Sequence, residues 1–134
     1  MRVSDRELLS RIESLAREEH ATTMEILLHL NEVERRRLHL TLGYGTMFDF
    51  AVRHLGYSAS AAGRRIQVAR CIARHPELLE PLRGREINLS TIALIAGVLD
   101  DGNVKELLDA IRGKSQREVE QIVATYRPAV DIRD

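Results

Sequence analysis

Phe48-Asp49-Phe50-Ala51-Val52-Arg53-His54-Leu55-Gly56-Tyr57-Ser58-Ala59-Ser60-Ala61-Ala62-Gly63-Arg64-Arg65-Ile66-Gln67-Val68-Ala69-Arg70-Cys71-Ile72-Ala73-Arg74 is the stretch that decides the fold. An apolar-periodic segment ends at Gly56, a short turn follows, and a second periodic segment starts at Ala59, the layout of a helix-turn-helix. Glycine closes a helix well because it takes positive φ without a Cβ penalty, and a serine hydroxyl at Ser58 or Ser60 can cap the next one. In the second helix Ala62, Ile66, Ala69 and Ala73 recur at three- and four-residue spacing and predict the packed face. Ser60, Arg64, Gln67, Cys71 and Arg74 share the opposite face, with Gly63 and Arg70 beside it.

Charge points the same way. Between Asp49 and Glu77 the chain carries Arg53, Arg64, Arg65, Arg70 and Arg74 and no acid. Residues 1–34 hold four arginines against eight acids, 35–75 eight against one, and 76–134 eight bases against eleven acids, so net neutrality hides a middle third at +7. A basic stripe on a helix whose other face packs is the footprint of nucleic-acid binding, because neutralised phosphates supply most non-specific affinity. The alternative is a solvated helix in a protein that prefers arginine, with 18 Arg to 2 Lys.

Outward from this stretch the chain reads as all-α. Ser4 and Glu7 form a capping-box pattern, and no Gly or Pro interrupts the sequence from there to Leu42. A long helix is expected, with Leu8, Ile12, Leu15, Ile26, Leu27, Leu30, Val33 and Leu38 in helical spacing. Its polar middle, Arg17 to Thr23, allows a break near His20–Thr23, though continuity is favoured. An apolar stripe this long suggests a homodimer through residues 5–36, or else an arm laid along the chain's own helices. Leu42-Gly43-Tyr44-Gly45 and Leu55-Gly56-Tyr57-Ser58 look like two similar helix-ending turns, and Thr46 can cap the first helix of the central motif.

Beyond Arg74, Pro76–Gly84 reads as a short helix limited by Pro81. Ser90 is expected to cap a buried helix over Thr91–Leu99, Asn103 one over Val104–Arg112 ended by Gly113, and Ser115 with Glu118 one over Gln116–Tyr126 closed by Pro128. The expected organisation is a long helical arm at 1–42, a compact helix-turn-helix domain at 43–127, and a disordered tail or linker at 128–134.

Composition excludes several classes. Cys71 is the lone cysteine, so neither a disulfide framework nor a cysteine zinc site forms within one chain, and a cytoplasmic address is expected. No uncharged run reaches membrane-spanning length. His20, His29, His39, His54 and His75 are scattered without carboxylates at ligand spacing, and no Gly-rich phosphate loop or Ser-His-Asp arrangement is present. No metal, cofactor or catalytic role is expected.

Leu55-Gly56-Tyr57-Ser58 through Arg64-Arg65-Ile66, then Pro76 to Arg83 and Gly84-Arg85-Glu86-Ile87-Asn88-Leu89-Ser90, resemble the DNA-binding core of ParB-type partition proteins. Across about 120 residues, Glu34-Arg35-Arg36, Leu42-Gly43-Tyr44, Ala69-Arg70, Leu89-Ser90-Thr91 and Lys114-Ser115-Gln116-Arg117-Glu118-Val119 also resemble the helical N-terminal region of a bacterial HNH endonuclease family. The histidine base and metal ligands of an HNH site are missing, so any nuclease activity would need a further domain. The resemblance implies a helix-turn-helix module for double-stranded DNA, either a stand-alone regulator or the targeting part of such a nuclease. The alternative is a helical oligomerisation or interaction module without DNA binding. In the DNA-binding case Ser58 and Ser60 lie near phosphate or base edges, Arg64 and Gln67 reach bases, and Arg53, Arg65, Arg70 and Arg74 hold phosphates.

Overall fold

The computed structural model describes residues 2–126, and the expected tail at 128–134 and the helix stop at Pro128 lie outside them. The described residues are all-α, without a strand. Helix α1 spans Asp5–Arg35, opened by the Ser4–Glu7 capping box in both directions. It runs unbroken through His20–Thr23, since tertiary packing of Met24 and Leu27 just beyond outweighs the poor propensity of two threonines. At about 1.5 Å per residue its 31 residues make a rod roughly 46 Å long. Arg37, at φ 57°, breaks it and turns the chain into the single turn α2, Leu38–Thr41.

Next, α3 covers Met47–Asp49, capped by the Thr46 hydroxyl, and widens into a π-turn at Phe50–His54. Helix α4, Ala59–Arg74, starts at Ser58, whose hydroxyl accepts from the Ala61 amide. The two similar turns are real counterparts: Gly43 and Gly56 both take positive φ, 94° and 86°. They differ by one residue in closure. The Tyr44 amide reaches back five residues to His39, whereas the Tyr57 amide reaches back six to Ala51, across the residue the π-turn inserts.

A 3₁₀ turn at Pro76–Leu78 leads into α5, Leu79–Arg83. Helix α6 is Leu89–Ile95, shorter than expected and capped by Asn88 rather than Ser90. Asn88 wins because its carboxamide oxygen accepts from both the Thr91 amide and hydroxyl, leaving Ser90 inside the helix. Asn103 precedes α7, Val104–Ile111, but its side chain ties the 98–103 turn, donating to the Val98 carbonyl and accepting from the Asp100 amide. Ser115 and Glu118 form the expected capping box of α8, Gln116–Tyr126.

The core is aliphatic and centred on α4, which packs against α1 on one side and α6 on another, with α7 and α8 completing the shell. Ile92, Ile95, Leu107, Ile111 and Val119 are fully enclosed. From α1 only the second half contributes, through Met24, Leu27 and Leu30. The first half, expected to share one continuous seam with it, carries no core residue. No described helix is long and apolar enough to cross a membrane.

Candidate nucleic-acid interface

The exposed strip of α4 is narrower than spacing alone predicts. Cys71, assigned to the free face, is only 2% exposed, while Ala73, assigned to the packed face, is exposed. Val68 and Ile72, on the flank beside Cys71, are buried as well, and α4 packs against α6 in addition to α1. Those residues form a second apolar seam, legible at 62, 66, 69 and 68, 72, that leaves three sides of the helix committed. Besides Ala59 and Ala73 near its two ends, what remains open is Ser60, Arg64, Gln67, Arg70 and Arg74, with Gly63 half-buried among them.

The later part of this strip, Gln67, Arg70 and Arg74 with Gly63, lines a groove of about 630 Å³ together with Thr46, Met47 and Phe48 and with Ala96 and Gly97; Ser60 and Arg64 lie outside it. Phe48 and Gly97 are exposed at its rims. A Cβ added at Gly63 would meet nothing within 4 Å, so packing does not demand glycine there. The groove floor is kept bare at the cost of helix propensity, about 0.5–1 kcal/mol.

The arginines differ in their partners. Arg70 makes two hydrogen bonds to the Glu34 carboxylate, 3.0 and 2.7 Å, tying α4 to the end of α1. That contact holds the Glu34 carboxyl below its ordinary value, against an opposing effect of partial burial, and raises the Arg70 guanidinium. Arg64 donates to the Ser90 hydroxyl at 2.9 Å, a bond that fixes the guanidinium without neutralising it. Arg74 is exposed and forms no ion pair among the described residues. Beside it, Arg35 and Arg36 share Glu32, whose carboxyl is lowered to about 2 by hydrogen bonds from Arg35 first and Arg36 second.

Three sequence-predicted residues lie apart from the strip or are already engaged. Arg65 points to the other flank of α4, where it donates to the Ala61 carbonyl at 3.3 Å and its guanidinium carbon sits 4.9 Å from the Tyr57 ring centroid. It is half-buried, and its Nε has no partner among the described residues. Ser58 spends its hydroxyl on the α4 cap. Arg53 is exposed on the π-turn, 6.0 Å from the Tyr44 ring centroid. It belongs to an aromatic cluster in which the Phe50 and His54 rings stack at 5.3 Å.

No family model, curated protein or solved structure matches the chain. Geometry therefore carries the functional argument. Glu34, Phe48 and Gly97 enter the site without having been singled out for it. Phe48 was visible as the start of the central stretch, but a pairing between Glu34 and Arg70, 36 positions apart, has no periodic signal. Among the described residues no three His, Cys, Asp or Glu side chains gather as metal ligands.

Proposed function

We propose that this chain is a DNA-binding helix-turn-helix module that meets the duplex with the open strip of α4. The observation that supports it is the strip itself. Arg64, Arg70 and Arg74 emerge along one line of a helix that follows a tight turn, with Gln67 between them and no acid on the same helix. Ser60 lies at the amino end of the strip, where an exposed hydroxyl and the positive pole of the helix favour a phosphate oxygen. Arg64 and Gln67 are the base-reading pair, and Arg70 and Arg74 the phosphate ligands. Arg65 drops out of that set, because its guanidinium serves the contact with Tyr57.

Arg70 has to exchange Glu34 for phosphate on binding, so Glu34 acts as a competitor. Whether the module works alone as a regulator or directs a nuclease domain, the surface is the same. The test is fluorescence anisotropy of labelled random duplex at low and moderate salt. Two phosphate-neutralising arginines give a slope of log K against log salt of about −2, at about −0.9 per contact, and Arg74→Ala should reduce it by about one. Arg64→Ala should instead alter sequence preference at a selected site. An affinity that ignores salt, or equal losses from both variants on specific and random DNA, contradicts the assignment.

A second reading, an interaction module that does not bind DNA, is favoured by one observation, the bare apolar face of the first half of α1. It predicts self-association that survives high salt and no retention on DNA.

A further inference from the structure

The first half of α1 projects from the domain as a bare helix. The last tethers to the body are the Arg85 guanidinium on the Ala16 carbonyl, 3.3 Å, and the His20 ring on the Arg83 carbonyl, 3.1 Å. Amino-terminal to them Leu8, Leu9, Ile12 and Leu15 are 46%, 60%, 55% and 39% exposed. Leu8, Ile12 and Leu15 fall at d, a and d of a heptad, the spacing of a two-helix seam. Their flanks are Arg11 and Glu18 at the g positions and Leu9 and Ala16 at the e positions. In the single chain Arg11 stretches to Glu18 across seven residues, 3.6 Å apart and both well exposed, a pairing worth little in water.

We infer that this segment is the contact surface for a second copy of the same chain, in antiparallel orientation. In that arrangement a positions face d, g faces g and e faces e. Setting Ile12 opposite Leu15 of the second copy, and the reverse, brings Arg11 against Glu18 of the second copy twice by symmetry. It also lays Leu9, the most exposed of the four, over Ala16, and puts Leu8 on the methylene stem of Glu19. The antiparallel register that sets Ile12 opposite Leu8 fails on charge, since it places Arg11 against Arg11. A parallel pair sets Arg11 beside Ala16 and Glu18 beside Thr23, so it forms no ion pair and leaves Leu9 beside Ser4. Only one arrangement of two such helices covers the apolar stripe and pairs both charges. The seam is about a dozen residues per helix, which places it among small, reversible interfaces. DNA binding by α4 is a separate claim, and either can fail alone.

Sedimentation equilibrium of the full chain over roughly 10–300 µM, a range suited to a small interface, reads the result directly. The expected average mass rises from 15.2 kDa towards twice that value. Arg11→Glu and Glu18→Arg each leave like charges facing and should stay at the monomer mass. An equimolar mixture of the two variants should recover the dimer, because a chain acidic at both positions then meets a chain basic at both. Pairing within one helix cannot produce that recovery. Ile12→Ser should abolish the dimer, and its unchanged circular dichroism would show that the fold persists. A monomer at every concentration overturns the inference, as does a dimer indifferent to both charge reversals or a mixture that fails to recover.

Discussion

The two halves of α1 carry the same signal and meet opposite fates. Leu8, Ile12 and Leu15 are spaced as regularly as Leu27, Leu30 and Val33, yet the first set is open to solvent while Leu27 and Leu30 are buried against α4 and its neighbours. Periodicity states that a helix face is apolar and says nothing of what covers it. One continuous helix therefore joins a core element to a projecting arm, and the boundary is set by where the 83–85 turn reaches it, not by any break in the sequence.

Substitution separates the halves most strongly. Leu27→Ala should lower unfolding free energy by about 2–5 kcal/mol, as expected for a fully buried leucine, whereas Ile12→Ala should stay within about 0.5 kcal/mol. Urea denaturation at low protein concentration, where the arm has no partner, checks both. Equal losses would dissolve the distinction. Next in size, Ser58→Ala should cost about 0.5–2 kcal/mol by removing the α4 cap while leaving the apolar seams intact.

Smaller effects sharpen the link between α1 and α4. Glu34 is held below its ordinary 4.5 by Arg70, so the pair stabilises the fold above that value and its contribution fades as pH falls through the depressed folded value. Both side chains are partly exposed, 37% and 51%, so the effect is modest. Wild type should melt slightly above Glu34→Gln at about pH 7, and the gap should close as the pH is taken below the ordinary carboxylate value. Smallest of all, Gly63→Ala should stabilise α4 by about 0.4–1 kcal/mol, since the added methyl meets nothing within 4 Å, while narrowing the groove floor and weakening the proposed DNA binding.

Local chemistry was the legible part. Ser4 with Glu7, Thr46, Ser58, Ser115 with Glu118, and the positive φ at Gly43 and Gly56 all stand where their residue types predict. All-α architecture and the long continuous helix followed from the same signals. Ser90 misled because Asn88, two positions earlier, caps better and adds the Thr91 hydroxyl. Cys71 misled because Val68 and Ile72 form a second seam, and only the placement of α6 shows that α4 is enclosed on three sides. Arg65, expected as a phosphate ligand from its place in the basic stretch, lies over the ring of the neighbouring Tyr57, a contact that spacing alone did not indicate. Long-range pairing, as between Glu34 and Arg70, leaves no trace in a single sequence.

Anisotropy of one labelled duplex at fixed low salt, comparing Glu34→Gln with Arg70→Ala and with Glu13→Gln on the arm, puts the α4 surface to the sharpest test. If Arg70 trades Glu34 for phosphate, Glu34→Gln tightens binding, Arg70→Ala weakens it and Glu13→Gln leaves it unchanged. Glu34→Gln and Arg70→Ala shifting affinity in the same direction, or no binding by any of the proteins, would contradict DNA recognition through this strip.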